Sequence, residues 1–280
     1  MSAEREKPPV ADTWTRGYLE LLGIEARPPS REALDAIVRA HRGIAFESVS
    51  SLMRRHSAGE GPVPPLDLDD LLETWTARAG GGVCYEVGSM LGRLLEVLGY
   101  TVYPVLAQIS FPGSHSALMV ELDGAQLLVD VGNGQPIFEA IPVDSIFEID
   151  RAGLRYRFHR DPTTGKLIQD RWVEGGFKPF VTYEMAAATP EEMEASFQRH
   201  HALPPMTFVM HNFRLVKCHD DEVLQLRDHE FTRYRAEGKS TEEVHGLDRY
   251  RDLVAGPFGF PSLDVERGLR AWSAITGATI

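Results

Sequence analysis

Apolar residues recur along the chain with two different periods, one before residue 100 and another after it. Between residues 87 and 98 they stand three and four positions apart, which predicts a helix with one buried face. The members of this face are Val87, Met90, Leu91, Leu94, Leu95 and Leu98. Similar patterns predict helices at 14–22, 31–42 and 66–77, the second of them capped by Ser30.

Beyond residue 100, short β-prone runs are separated by turn residues. Short strands at this spacing predict an antiparallel sheet or a small barrel. The predicted strands are 101–109, 116–122, 125–131, 145–150, 154–159, 169–173 and 180–184. Thr189 and Glu192 then have the spacing of a reciprocal helix cap. The remaining segments are predicted as strands or irregular structure at 206–209, 213–217 and 222–227, and as mainly helical at 241–253 and 263–275.

These changes of pattern divide the chain into three predicted domains of an α+β multidomain protein. Residues 1–99 are predicted as a helical N-terminal domain with a disordered lead at 1–12. Residues 100–188 are predicted as an antiparallel β-barrel-like middle domain, and 189–280 as an interdomain helix followed by a third domain. A chain of 280 residues is long enough for two to three small domains.

Composition narrows the classes of function. The net charge is −12, with 41 acidic residues against 29 basic ones, which argues against nucleic acid and anionic membranes as partners. Two cysteines are too few for a disulfide framework, so a reducing compartment is expected. The first residues are charged and lack the apolar core of a signal peptide, and no run has the roughly 20 apolar residues of a membrane span. A cytoplasmic protein is predicted.

The first candidate for chemistry is Cys84. It follows three consecutive glycines and stands at the start of the predicted helix. The unpaired N–H groups and the positive end of the helix dipole favour a thiolate there, and a thiolate attacks carbonyl carbon. The alternative is a buried structural thiol without a chemical role.

A predicted β-hairpin supplies two further candidates. Asp123 and Gly124 separate two β-prone runs, which is a strong signal for a two-residue turn. With these two as the turn, paired residue numbers sum to 247, and His115 and Asp130 become diagonal neighbours on one face, with Cβ atoms about 7 Å apart. Alternatively, His115 and Asp130 do not interact, and each forms hydrogen bonds with groups near its own strand end.

Cys84, His115 and Asp130 together have the composition of a nucleophilic acyl-transfer site. In such a site the histidine takes the thiol proton, and the carboxylate orients the imidazole and stabilises its charge. The segments GGVCYE, HSALMVELDG and LLVDVGNG, with 18–24 and 40–48 before them, resemble the arylamine N-acetyltransferases. The resemblance covers residues 14–136, and by it Cys84, His115 and Asp130 correspond to the catalytic triad of that family.

The resemblance implies a fold and a reaction. The implied fold has a cysteine-protease-like Cys–His–Asp arrangement and an α/β C-terminal lid. The implied reaction is a ping-pong transfer of an acetyl group from acetyl-CoA, through a thioester on Cys84, to an arylamine or hydrazine. The main-chain N–H of Cys84 is the expected oxyanion donor. No permanently bound cofactor and no metal are expected, and the oligomeric state is left open.

Four positions depart from the family pattern. Gly80 replaces an arginine, Gly88 an asparagine, Ser48 an asparagine and Asn133 an aromatic residue that borders the acceptor pocket in the family. The implied substrate-pocket residues are Phe46, Val83, Asn133 and Phe208. By the same resemblance, Glu47 is expected beside the nucleophile helix.

The departures leave other functions open. One alternative is an amide synthase or acyltransferase of natural-product biosynthesis that takes a longer acyl chain from CoA or an acyl carrier protein. Others are a thiol hydrolase and a non-catalytic binding protein. An intact set of three catalytic residues argues against the binding protein.

Three other motifs are predicted to carry no chemistry. Cys218, His219 and Asp220 are consecutive, so in an extended segment their side chains alternate in direction and cannot form one relay. The second motif contains His200, His201 and His211, which lack companion ligands at metal-site spacing and are expected to be solvent-exposed. The triple glycine lacks the spacing of a dinucleotide fingerprint and is expected to serve close backbone approach or a sharp turn.

Overall fold

The computed structural model describes residues 12–280 and shows a mixed α/β protein with two antiparallel sheets. The lead predicted at 1–12 lies outside the described residues except for Asp12, whose side chain caps the first helix. The helices are α1 Thr13–Leu22, α2 Arg31–His41, α3 Val49–Ala58, α4 Leu68–Thr76, α5 Cys84–Val97, α6 Pro190–His200, α7 Phe208–His211, α8 Leu247–Ala255 and α9 Val265–Thr276.

The strands begin before α3 and continue almost to the C-terminal helices. They are β1 Phe46–Glu47, β2 Thr101–Gln108, β3 His115–Leu122, β4 Ala125–Val129, β5 Ile141–Pro142, β6 Phe147–Arg151, β7 Leu154–Arg160, β8 Leu167–Val173, β9 Gly176–Tyr183, β10 Arg214–Cys218, β11 Glu222–Arg227, β12 Glu230–Arg235 and β13 Gly238–Glu243. Each strand predicted between 101 and 184 is confirmed, with ends that differ by a few residues.

The N-terminal helices pack around α5. Their caps are local: Ser30 accepts a hydrogen bond from the main-chain N–H of Ala33, as the sequence predicts, and Asp67 caps α4. The predicted apolar face of α5 is buried in one cluster with Tyr18 and Trp75. This packing, more than helix propensity, holds the first turn of α5 in place.

The larger sheet has eight strands in the order β5-β4-β3-β2-β9-β8-β7-β6 and resembles a barrel. Its β3–β4 hairpin has the predicted register, with Leu122 opposite Ala125. Asp123 and Gly124 have φ angles of 51° and 79°, which are the positive values that a type I′ turn requires. The smaller sheet has the order β1-β10-β11-β12-β13, so β1 of the N-terminal region pairs with β10.

Three features of the C-terminal region differ from the prediction. Residues 241–246 are not helical, because Gly238–Glu243 forms the edge strand β13 and pairs with β12. The sequence pattern predicts no strand at β12. Every residue of β13 is exposed, so no apolar alternation marks it. Residues 208–211 form a short helix capped by Thr207. The helices predicted further on are present as α8 and α9.

The predicted domain boundaries fall in two connections, between α5 and β2 and between β9 and α6. They stay a prediction, and α3 packs against α9 at the other end of the chain. Within residues 12–280, none of the helices has both the length and the apolar character needed to cross a membrane.

Candidate active site

Cys84 is the first residue of α5 and is 4% exposed. Its position follows from the turn before it, where the Val83 N–H donates to Oε2 of Glu86 over 3.2 Å. At the first position of a helix the main-chain N–H has no intrahelical acceptor. The thiol therefore stands where backbone dipoles favour negative charge.

The glycines before Cys84 allow close contact with the neighbouring chain. A Cβ atom on Gly81 would lie 2.2 Å from the carbonyl oxygen of Ala45. The Gly81 N–H donates to Oε1 of Glu47 over 3.1 Å, and Trp75 Nε1 donates to the Gly81 carbonyl over 2.7 Å. Glu47 thus lies beside the turn that begins α5, as expected. The glycines therefore let the turn before α5 pack closely against the main chain at Ala45.

A buried ion pair supports the same turn. The carboxylate of Glu86 pairs with Arg54 of α3. Burial alone would raise the pKa of Glu86, but the charges of Arg54 and His201 outweigh burial and hold this pKa below its usual range. A side chain at position 80 has little room, since a Cβ on Gly80 would lie 2.7 Å from Ser50 Oγ. Position 80, where the family has an arginine, is a glycine in this chain. The guanidinium that pairs with Glu86 is instead that of Arg54 in α3.

His115 and Asp130 lie together on the β3–β4 hairpin. His115 Nε2 is 2.7 Å from Oδ2 of Asp130, and both side chains are buried. The carboxylate also accepts hydrogen bonds from the Tyr183 hydroxyl at 2.7 Å and from Asn133 Nδ2 at 2.9 Å. The Gly132 N–H donates to its other oxygen over 3.1 Å. These donors hold the carboxylate in one orientation.

Because Nε2 of His115 is bonded to Asp130, its other ring nitrogen, Nδ1, is available to hydrogen-bond with the Cys84 thiol. Burial would lower the pKa of His115, but the negative charges of Asp130 and Cys84 and hydrogen bonds to both outweigh burial and raise this pKa to about 10. The charge of Asp130 therefore favours the protonated imidazole. The arrangement can hold a thiolate–imidazolium pair, which is the reactive form of a cysteine nucleophile.

A small cavity of ≈ 20 Å³ adjoins the three side chains. Phe46, Asn133 and Phe208, three of the predicted pocket residues, line it together with Cys84 and His115. Val83, the fourth, is buried before α5 and is not among the lining residues. Asn133 therefore occupies the predicted place, but its amide is directed to Asp130.

The expectation that His200 and His201 are solvent-exposed is wrong. The two side chains are 1% and 0% exposed, because the end of α6 packs against Tyr85. His200 lines the same cavity as Cys84, and within residues 12–280 neither of its ring nitrogens has a hydrogen-bond partner. Burial, with neighbouring positive charge, lowers the pKa of His200 well below its usual value. No local sequence signal marks this residue, whereas His211 is exposed as predicted.

A cleft of ≈ 570 Å³ opens from the cavity beside Cys84 and lies between the two sheets. It shares Ile109, Asn133 and Phe208 with the cavity. Among its described lining residues four are arginines and none is an aspartate or glutamate. The arginines are Arg155, Arg171, Arg214 and Arg227. A chain of net charge −12 thus has a positively charged approach to Cys84.

Comparison with known proteins gives a consistent result. A family model described as N-acetyltransferase matches residues 31–260. The chain is 35% identical over 131 residues to the arylamine N-acetyltransferase of Mycolicibacterium smegmatis, a match that covers 42% of this chain and 46% of that protein. It is 25% identical over 266 residues to an arylamine N-acetyltransferase / N-hydroxyarylamine O-acetyltransferase of Salmonella typhimurium, which covers 91% of this chain and 90% of that protein.

A solved structure shows the same fold. The arylamine N-acetyltransferase of Mycobacterium marinum, in complex with CoA, superimposes with a TM-score of 0.79 at 23% identity. The superposition covers 95% of this chain and 100% of that chain.

Proposed function

The chain belongs to the arylamine N-acetyltransferase family, and we propose that it transfers an acetyl group from acetyl-CoA to the nitrogen of an arylamine or hydrazine by way of a thioester on Cys84. The observation that carries this proposal is the meeting of three side chains. Cys84 stands at the start of α5, and the β3–β4 hairpin holds His115 and Asp130 2.7 Å apart beside the cavity that Cys84 lines.

In the first half-reaction the Cys84 thiolate attacks the carbonyl carbon of the acetyl thioester. The main-chain N–H of Cys84 faces the developing oxyanion, since it has no partner within the helix. The C–S bond to CoA then breaks, and the His115 imidazolium gives its proton to the departing CoA sulfur. Cys84 is left acetylated and His115 neutral.

In the second half-reaction the amine nitrogen attacks the carbonyl carbon of the Cys84 thioester. Neutral His115 accepts a proton from that nitrogen, and Asp130 stabilises the imidazolium that forms. The tetrahedral intermediate collapses with loss of the Cys84 thiolate. The amide is released, and the thiolate–imidazolium pair is restored for the next cycle.

The arginine-lined cleft supports a phosphorylated donor. Its cationic wall lies between the two sheets and leads to Cys84 through Ile109, Asn133 and Phe208. Arginine side chains are well suited to phosphate groups, and the related Mycobacterium marinum structure contains CoA. The amide-synthase alternative is not favoured, because the matching family model is that of N-acetyltransferases.

The proposed compartment is the cytoplasm. Cys84 and Cys218 are both free, and a nucleophilic thiolate needs a reducing environment to stay active.

Mass spectrometry of the intact protein tests the proposal. After mixing with acetyl-CoA and no acceptor, we expect one added acetyl group on the wild-type protein and none on Cys84→Ala. Cys218→Ala is the matched control, because Cys218 is buried and burial raises its pKa to about 12; it should acquire the acetyl group like the wild type. Acetylation that persists in Cys84→Ala, or none on the folded wild type, would refute the proposed function.

A further inference from the structure

His200 brings a buried imidazole to the cavity beside Cys84. It is the last residue of α6 and is 1% exposed. Together with Cys84 and His115 it lines the cavity of ≈ 20 Å³. A space of this size holds one water molecule or one small polar group. An oxygen atom that enters it beside Cys84 therefore lies next to the imidazole.

The ring of His200 is held by packing and not by hydrogen bonds. In the part of the chain that the structure describes, neither of its nitrogens has a hydrogen-bond partner. Its ring centroid is 5.4 Å from that of Tyr85 and 4.8 Å from that of His201. A buried polar group without a partner is costly for the free protein. The cost is explained if the substrate supplies the partner.

The other buried polar side chains around the cavity are already engaged. The hydroxyl groups of Ser114 and Thr207 accept hydrogen bonds from nearby main-chain N–H groups. The amide nitrogen of Asn133 donates to Asp130. Its Oδ1 atom has no partner among the described residues, but it is an acceptor and cannot stabilise negative charge. Of the buried side chains described around the cavity, His200 alone has every nitrogen or oxygen atom unpartnered.

The main chain beside Cys84 leaves room for a side-chain donor. The N–H of Cys84 has no acceptor within the helix. The N–H of Val83 before it donates to Glu86 over 3.2 Å. That of Gly132, which lies against Cys84, donates to Asp130 over 3.1 Å. Neither neighbouring N–H is therefore free for an oxyanion, and oxyanion holes commonly combine main-chain and side-chain donors.

The surroundings of His200 keep its imidazole neutral. Burial, with the positive charges of neighbouring side chains that include His115, lowers the pKa of His200 well below its usual value. A neutral imidazole has one N–H donor and one lone pair, whichever tautomer is present. It can therefore donate to a carbonyl oxygen without giving up its proton.

We propose that His200 is a further catalytic residue, whose neutral N–H completes the oxyanion hole begun by the main-chain N–H of Cys84. The inference rests on the proposed function, to which it adds a residue. As the Cys84 sulfur bonds to the carbonyl carbon, the π electrons move onto the carbonyl oxygen, and His200 donates a hydrogen bond to that oxygen. When the intermediate collapses, the electrons return and the C–S bond to CoA breaks. The imidazole of His200 keeps its proton throughout.

His200→Phe removes the donor and keeps a ring against Tyr85. Acetylation of Cys84 by acetyl-CoA is followed by mass spectrometry of the quenched intact protein. We expect it to slow about a hundredfold, the scale of one oxyanion donor. The thermal midpoint should be no lower than in the wild type, since two unpartnered nitrogens leave the interior. Acetylation within about threefold of the wild-type rate would overturn the proposal.

Two further variants separate the hydrogen-bond donor from the ring. In His200→Asn the amide nitrogen can take the place of Nδ1, and in His200→Gln it can take the place of Nε2. We expect one of the two to keep acetylation within about tenfold of the wild-type rate, and that variant identifies the donating nitrogen. Losses in both as large as in His200→Phe would assign the histidine a packing role and overturn the proposal.

The carbonyl stretch of the acetyl-enzyme provides a readout that packing alone does not move. Acetyl-CoA labelled with carbon-13 at the carbonyl isolates the C=O band of acetylated Cys84 in infrared difference spectra. A hydrogen-bond donor lowers the frequency of this band, so we expect a higher wavenumber in His200→Phe than in the wild type. A band at the wild-type position in His200→Phe would overturn the proposal.

His201→Phe is the matched control. His201 is the adjacent buried histidine, but it does not line the cavity, and its Nδ1 is 2.9 Å from the carbonyl oxygen of Phe197. We expect His201→Phe to leave the carbonyl band at the wild-type position. If the band moves as far in His201→Phe as in His200→Phe, repacking at the end of α6 accounts for the shift, and the assignment to His200 is overturned.

A donor without phosphate separates the oxyanion from the binding of CoA. The proposal predicts that His200→Phe slows acetylation of Cys84 by the same factor with acetyl-CoA and with the acetyl thioester of N-acetylcysteamine. A selective loss with acetyl-CoA would assign His200 to donor binding and overturn the proposal. An acyl-enzyme that forms at the wild-type rate in His200→Phe would refute the role of His200 alone, whereas no acyl-enzyme on the folded wild type would refute the proposed function itself.

Discussion

Gly132 lies directly against Cys84. A Cβ atom built on Gly132 would be 2.5 Å from the Cα atom of Cys84 and 3.0 Å from its Cβ atom. The loop after β4 thus rests on the first residue of α5, and no side chain can separate them. This contact brings the hairpin that carries His115 and Asp130 to Cys84.

Gly132→Ala should therefore separate the two parts of the site. The added methyl group must push the loop away from α5, at a cost of about 2 kcal/mol in the free energy of unfolding, and acylation of Cys84 should slow by about a hundredfold. The measurements are urea unfolding and the acylation rate with acetyl-CoA. Gly88→Ala is the control, because a Cβ at Gly88 meets nothing within 4 Å.

We expect Gly88→Ala to keep full activity and to raise the free energy of unfolding by about 0.5–1 kcal/mol, since alanine is the better residue inside a helix. Normal acylation in Gly132→Ala would mean that the contact between the loop and the helix does not position the site.

Asp130→Asn should change the pH dependence of acylation. The carboxylate is a main cause of the raised pKa of His115, about 10 in the wild type. Without it, burial dominates and the imidazolium loses its proton at lower pH. The alkaline limit of the acylation rate should thus move down from about pH 10, and stopped-flow rates between pH 6 and 10.5 would show this.

The control for that experiment is Asp170→Asn. Asp170 is also a buried carboxylate of the larger sheet, but it pairs with Arg157 and His159 instead of His115. We expect it to lower stability and to leave the alkaline limit in place. A limit at the same pH in Asp130→Asn would contradict the role given to the His115–Asp130 pair.

Arg54→Met should destabilise the protein because it removes the ion-pair partner of the buried carboxylate of Glu86. The expected loss is about 3 kcal/mol in the free energy of unfolding, measured by urea. Adding Glu86→Gln removes the stranded charge while keeping the acceptor oxygen for the Val83 N–H. The double variant should therefore regain most of the loss. If the effects of the two substitutions on the free energy of unfolding were additive, Arg54 and Glu86 would not stabilise each other.

The protein should lose stability in mild acid because His41 is buried. Burial lowers the pKa of His41 to about 3, against an ordinary value of 6.5. Between these values the unfolded chain binds a proton that the folded chain does not. Stability therefore falls as pH drops from 6.5 toward 3, by about 1.4 kcal/mol per pH unit for this group.

His41→Gln tests the assignment. Urea unfolding at pH 7, 6, 5 and 4 should show a pH slope smaller by about one proton in the variant. His211→Gln removes an exposed histidine of the same chain and should leave the slope unchanged. Identical slopes in the wild type and His41→Gln would show that His41 takes up its proton in the folded state.

Local sequence signals were sufficient to predict the β3–β4 hairpin and the start of α5. The Asp123–Gly124 turn sets the register of β3 and β4, and this register places His115 and Asp130 on one face. Helical periodicity and the preceding glycines place Cys84 at the start of α5. Turn geometry and periodicity depend on neighbours in sequence, so one chain is enough to predict them.

Contacts between distant segments were decided by the tertiary structure. Tyr183 reaches Asp130 because β9 pairs with β2, and Arg54 reaches Glu86 because α3 packs beside the nucleophile turn. Arg214 lies against the ring of Phe46 because β10 pairs with β1. Such contacts depend on how sheets and helices pack across more than thirty positions of sequence, and no local pattern of residues encodes that packing.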